Sequence, residues 1–203
     1  MVTDRRWAGS CALVVVSILA AGCTENPVPP APAPKSSPAA AVVPSDFGAR
    51  RTTLTCSDSV GASPADSTAV TDRDVAVGLE SGVAPLRVPS AADAGLRLPP
   101  GMNWYFRKDP IPVRAGARDV TISVSGPGQA LVVVPGDVWT SGLDAGPWAS
   151  SSVTLKSCPD HNALFLGGVL AATPQTCVVM RVQSAQPGDE TVRRRLDGTA
   201  CSG

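Results

Sequence analysis

The chain predicts an all-β fold: a single β-sandwich, with the immunoglobulin arrangement as one candidate form, stapled by two disulfides. Three observations carry that expectation. Apolar residues recur in short runs, either with period two or as β-branched clusters, as half-buried and buried strands require. Pro/Gly/Asp clusters such as "LPPGMN", "KDPIP", "VPGD" and "AQPGDE" punctuate those runs at intervals suited to sandwich loops. Four cysteines, Cys56, Cys158, Cys177 and Cys201, fall in the same region and form an even set. No window shows a long helical period with caps.

The chain opens with Arg5 and Arg6, then the apolar run "CALVVVSILAA", which has the length of a signal-peptide core and is too short to span a bilayer as a helix. The run ends in Ala20, Ala21, Gly22 and Cys23. This "LAAGC" junction resembles the lipobox of bacterial lipoproteins, although Ala20 stands where that family usually has leucine. The resemblance implies that residues 1–22 are a signal peptide and that the Cys23 thiol carries the lipid. Two or more acyl chains of the palmitate type would then anchor the chain stably to the cell membrane, where one would bind only marginally. Residues 23–48 read as a tether: "TENPVPPAPAPKSSPAAAVVPS" has too little apolar content for a core, and its prolines favour extended polyproline II.

Residues 49–203 are left as one domain, long enough to bury a substantial core. The expected strands, in order, begin with "RTTLTC" at 51–56 and "DVAVGL" at 74–79. The fragments "LRV" at 86–88 and "LRL" at 96–98 follow, then "NWYFRK" at 103–108. "DVTISVSG" at 119–126 alternates cleanly, and the turn Gly126-Pro127-Gly128 after it predicts a hairpin into "ALVVVP". "SVTLKSC", "CVVMRVQ" and "TVRRRLDG" complete the set. "ALFLGGVLAA" at 163–172 is ten apolar residues and reads as a buried strand kinked at Gly167-Gly168, with an exposed interaction loop as the rival reading. "SPADSTAVTDRDV" has room for one turn of helix.

The cysteines indicate an oxidising compartment. Their pairing is open, but Cys158 ends one strand-like run and Cys177 begins another. That adjacency favours Cys158 with Cys177, leaving Cys56 for Cys201. No C-x-x-C spacing supports a four-thiolate metal site, and neither a metal nor a cofactor is expected.

Formal net charge is zero, and losing Asp4, Arg5 and Arg6 leaves about −1 on the remainder, which argues against a nucleic-acid surface. Catalytic signatures are missing. His161 is the single histidine, no G-x-S-x-G or S-x-x-K occurs, and the glutamates are Glu25, Glu80 and Glu190 alone. Asp72 and Asp74 would share a face of an extended segment, but a solvated loop explains them more simply than a calcium site. In a chain only 4% aromatic, "NWYFRK" stands out. Alternation puts Trp104 and Phe106 in the core and leaves Tyr105, with Trp139 and Trp148, as a candidate binding platform for a sugar ring or a partner. Arg193, Arg194 and Arg195 read as charge guarding an edge strand.

The order "SCPD…FLGGVL…TCVVMRV…RRRLDG…C", from Ser157 to Cys201, resembles a pattern in uncharacterised secreted or lipid-anchored actinobacterial proteins. That resemblance implies a compact β-fold and no catalytic residues. The expected function is a non-enzymatic, extracytoplasmic binding module on a lipid anchor. Its partner would be another envelope protein or, alternatively, a carbohydrate or wall polymer; a hydrolase is the least supported reading.

Overall fold

A computed structural model describes residues 46–61, 70, 72–78 and 87–201, all within the compact unit Ala39–Gly203. Cys23, the expected signal segment and most of the expected tether lie outside the described residues, as do 62–69, 71 and 79–86. Every regular element described is a strand or a short 3-10 turn, so the fold is all-β. Among these residues no helix is long and apolar enough to cross a membrane.

The strands are β1 (Arg50–Leu54), β2 (Val60–Gly61), β3 (Leu96–Arg97), β4 (Tyr105–Lys108), β5 (Ile111–Val113) and β6 (Val120–Ser125). They continue with β7 (Gln129–Val134), β8 (Leu143–Asp144), β9 (Ala149–Leu155), β10 (Ala163–Ala171), β11 (Cys177–Gln183) and β12 (Glu190–Arg195). One curled sheet runs β12-β11-β6-β9-β7-β10-β2, with β1 on β9 and both β4 and β5 along β10; β3 and β8 form a small separate pair.

The expected β6–β7 hairpin does not form. Both strands run antiparallel to β9, β6 against Ser152–Leu155 and β7 against Ala149 and Ser150, so the chain leaves β6 and resumes in the same direction as β7. Gly126-Pro127-Gly128 is therefore an excursion at a corner, not a reversal. Gly126 and Gly128 take φ of 117° and 71° there, values open to glycine and strained for other residues. The Gln129 side chain holds the corner: its amide nitrogen donates to the Ser125 carbonyl and its oxygen accepts from Val179 N–H.

The corner divides the sheet into two layers, in the way that strands switching sheets make the corners of sandwiches. Layer one is β12-β11-β6-β9-β1; layer two is β7 and β10 with β4, β5 and β2 beyond. The inner residues of both layers share one core, including Leu54, Ile122, Val153, Met180 and Val192 from the first and Leu131, Val133, Phe165 and Val169 from the second. Layer two is covered on its other face as well. There Ala130, Val132, Val134 and Leu170, with Phe106 of β4 and Trp104 just before it, meet Leu96 of β3 and Leu143 of β8. This double burial is why β7 reads as an unbroken apolar run while β6, with one open face, alternates. Phe47 packs edge-on to Trp104 at 5.1 Å, extending the packed region ahead of residue 49.

"ALFLGGVLAA" is β10, buried over most of its length in the middle of layer two. "DVAVGL" is not a strand; its described part touches β5 through the single bridge Val75–Val113. Conversely Ile111–Val113, which begins inside the cluster "KDPIP" that predicts a loop, is β5. It lies at the margin of layer two, where Pro112 has no N–H to give and its carbonyl accepts from Ala76.

The disulfides join Cys56 to Cys158 and Cys177 to Cys201, which corrects the expected pairing of Cys56 with Cys201 and Cys158 with Cys177. Adjacency in sequence misled: β9, the run that leads to Cys158, and β11, the run that begins at Cys177, are not neighbours, because β6 lies between them. Parallel pairing of β1 with β9 carries Cys56 and Cys158 out together at the same end of the sheet, while β11 and β12 place Cys177 opposite Arg195 and near the chain's end.

Candidate functional site

The aromatic residues do not make one platform. Tyr105 packs against the core between the layers, whereas Trp139 and Trp148 pack against the second core on the far face of layer two. Trp139 is also occupied: its ring lies 6.1 Å from that of Phe106, and Lys108 Nζ sits 5.0 Å over its centroid, a cation–π contact that a stacking sugar would have to displace. Trp104 and Phe106 are core, as alternation requires. Tyr105 instead borders an open groove of about 550 Å³ between the turns at 90–96 and 98–103, shared with Leu96, Pro99 and Pro100.

Two buried polar clusters carry structure rather than a site. Asp74, 1% exposed, accepts from Arg114 at 2.6 Å and from Gln186 N–H at 2.7 Å, and so ties the segment before β5 to the loop after β11. It is therefore neither a solvated loop residue nor an available cation ligand, and only Asp72 of that pair is exposed. Arg107 donates to the carbonyls of Leu196 and Gly78, and Asp109 accepts from Gly78 N–H. Neither cluster was legible in the sequence, because each joins residues tens of positions apart.

His161 stands at the Cys56–Cys158 bond. Its Nδ1 lies 2.7 Å from Asp160 Oδ1 and its Nε2 lies 3.9 Å from Cys56 Sγ. The hydrogen bond from His161 holds the Asp160 carboxyl below the usual range. Cys56, Cys158 and His161 cluster as metal ligands do, but the two sulfurs are bonded to each other and cannot serve as thiolates.

The outer face of layer one is an ordered polar surface. Strand register aligns Arg51, Ser152, Ser123, Arg181 and Thr191 in one row across five strands. Beside it run Thr53, Thr154, Thr121 and Gln183, with Thr121 and Thr154 hydroxyls 3.2 Å apart. Arg193 and Ser125 flank Val179 in a third row. No outward strand position in these rows carries a carboxylate. Asp189 reaches the face from the β11–β12 loop, pairing with Arg181 at 2.6 Å. As expected for a guarded edge, β12 ends the sheet with Arg193 exposed.

The hydrogen bond from Arg181 holds Asp189 below the usual carboxylate range. A carboxyl whose pKa is lowered by folding contributes stability above its unfolded value, and loses it as pH falls through the lowered folded value. An NMR titration should find the Asp189 midpoint below that of an isolated aspartate, and Arg181→Gln should raise it. Unfolding temperature should accordingly show no change from this pair between neutrality and about pH 5.

No family model matches the chain, and no curated protein matches it closely enough to count as a relative. Fold and surface together define a class: an all-β domain whose two disulfides mark an oxidising, extracytoplasmic environment.

Proposed function

We propose that this chain is a lipid-anchored cell-envelope protein whose domain is a non-catalytic binding module for an anionic wall polymer. The anchor rests on "LAAGC", with Cys23 as the lipidated residue, and the tether would hold the domain away from the membrane. The observation that carries the binding reading is the outer face of layer one, with repeating hydroxyl rows, Arg51 and Arg193, and no carboxylate at the outward strand positions of those rows. Guanidinium groups match phosphate or carboxylate oxygens in bidentate geometry, and hydroxyls serve the neutral oxygens between them. Strands about 4.8 Å apart repeat that chemistry at regular intervals, which suits an extended repeating ligand.

Of the two partner classes, an envelope protein is the less supported, because the apolar 163–171 run that would have served as its contact is buried. Hydrolysis is the least supported reading, since among the described residues the side-chain partners of His161 are a carboxylate and a disulfide sulfur.

The test is co-sedimentation of the full chain with purified anionic wall polymer, against a neutral glucan. Binding should be selective for the anionic polymer, weaken with salt, and fall at least about tenfold in Arg51→Glu/Arg193→Glu. Equal retention on the neutral glucan, or indifference to the charge reversals, would refute this reading.

A further inference from the structure

The chain's one histidine stands on one of its two disulfides. A ring nitrogen of His161 and both sulfurs, Cys56 Sγ and Cys158 Sγ, lie within 4.8 Å of one another. Asp160 holds the opposite nitrogen at 2.7 Å, which fixes the ring's orientation. The imidazole and the carboxylate are open to solvent, with 54% and 79% of their side chains exposed. The two cysteines differ: Cys56 is half-buried and Cys158 fully buried. A structural disulfide needs no such pair beside it, and Cys177–Cys201 has no histidine to draw on.

We propose that Cys56–Cys158 is a thiol–disulfide exchange site, with His161 as its proton carrier and Asp160 as the residue that positions it. The co-reactant is a dithiol. One of its sulfurs, as thiolate, attacks Cys56 Sγ, which belongs to the half-buried of the two cysteines. The Cys56–Cys158 bond breaks, a mixed disulfide forms on Cys56, and Cys158 leaves as a thiolate that takes a proton from the His161 imidazolium. The second thiol of the partner gives its proton to the now neutral imidazole and attacks the partner's own sulfur in the mixed disulfide. Cys56 is released as a thiolate and takes that proton back. Two electrons pass from the dithiol to the protein, and the products are two cysteine thiols and the partner's disulfide. Burial of Cys158 keeps the leaving sulfur in place for reclosure by the reverse path. Because an acid–base group acts in both directions, His161 accelerates opening and closing alike. This inference is independent of polymer binding.

The deciding experiment treats the oxidised full chain with limiting dithiothreitol under native conditions. Samples are quenched at intervals with acid, alkylated, and assigned by mass spectrometry at each cysteine. Access alone favours Cys177–Cys201, since both of its cysteines are half-buried. The proposal requires the opposite order, with Cys56 and Cys158 alkylated first. His161→Gln should slow their appearance about tenfold, and Asp160→Asn by a smaller factor, while Cys177 and Cys201 react at an unchanged rate. That second bond is the internal control: a variant that merely loosened the fold would speed both. Opening of Cys177–Cys201 first, opening of both together, an unchanged rate in His161→Gln, or a variant that speeds both would each overturn the proposal.

Discussion

Replacing Cys56 and Cys158 together by alanine is expected to lower stability by about 4.7 kcal/mol, against about 3.5 kcal/mol for the Cys177/Cys201 pair, on chain entropy alone. The difference follows from the loops closed, since the sequence separations are 102 and 24. The first bond ties the end of β1 to the end of β9 and closes a loop that contains all of β2 to β9. The second bridges only the neighbourhood of the β11–β12 pair. Equilibrium urea unfolding of the two double variants measures both values. A larger loss from the Cys177/Cys201 pair would mean that the long loop is already restricted in the unfolded chain.

Gly168→Ala is expected to cost about 3 kcal/mol, the upper part of the range for overpacking a close-packed interior. A Cβ built at Gly168 runs into the Arg107 carbonyl oxygen and the Phe106 ring, and one at Gly167 into the Val132 carbonyl and Val133. Here β10 is flanked by β7 on one side and β4 on the other, and at these two residues its backbone approaches both. Backbone atoms of paired strands cannot swing aside as a flexible side chain could. The urea midpoint of Gly168→Ala should therefore fall with an unchanged slope. A midpoint within the scatter of the wild-type protein would show that layer two can widen locally.

The strands written as clean alternation or as β-branched runs were legible: β6 and β11 fall where their period-two patterns put them, and β10 is the buried strand its apolar run implies. β5 was not, because Pro112 removes a donor and so reads as loop; only its place at the sheet margin makes it tolerable. Of the candidate platform, Tyr105, Trp139 and Trp148 are each half-buried, but they face different cores. Alternation told which side of β4 each aromatic takes, and could not tell that both sides are covered. The arginine and hydroxyl rows were likewise invisible as a surface. Arg51, Ser152, Ser123, Arg181 and Thr191 come from five strands and align only through register. From the sequence His161 is only the single histidine, since nothing local brings it to Cys56, 105 positions away.

What the sequence by itself determined was local: an all-β class, most strand positions, the presence of two disulfides' worth of cysteines, and the polar outward positions within each alternating strand. These follow from side-chain period, turn chemistry and residue count, which act over a few residues. Only the tertiary structure decided the disulfide partners, the continuation of β6 into β7 around a corner, and the meeting of His161 with a sulfur–sulfur bond. Each depends on which strands become neighbours across the two layers. That choice is made by the shared core as a whole, where residues far apart in the chain satisfy one another's burial at once.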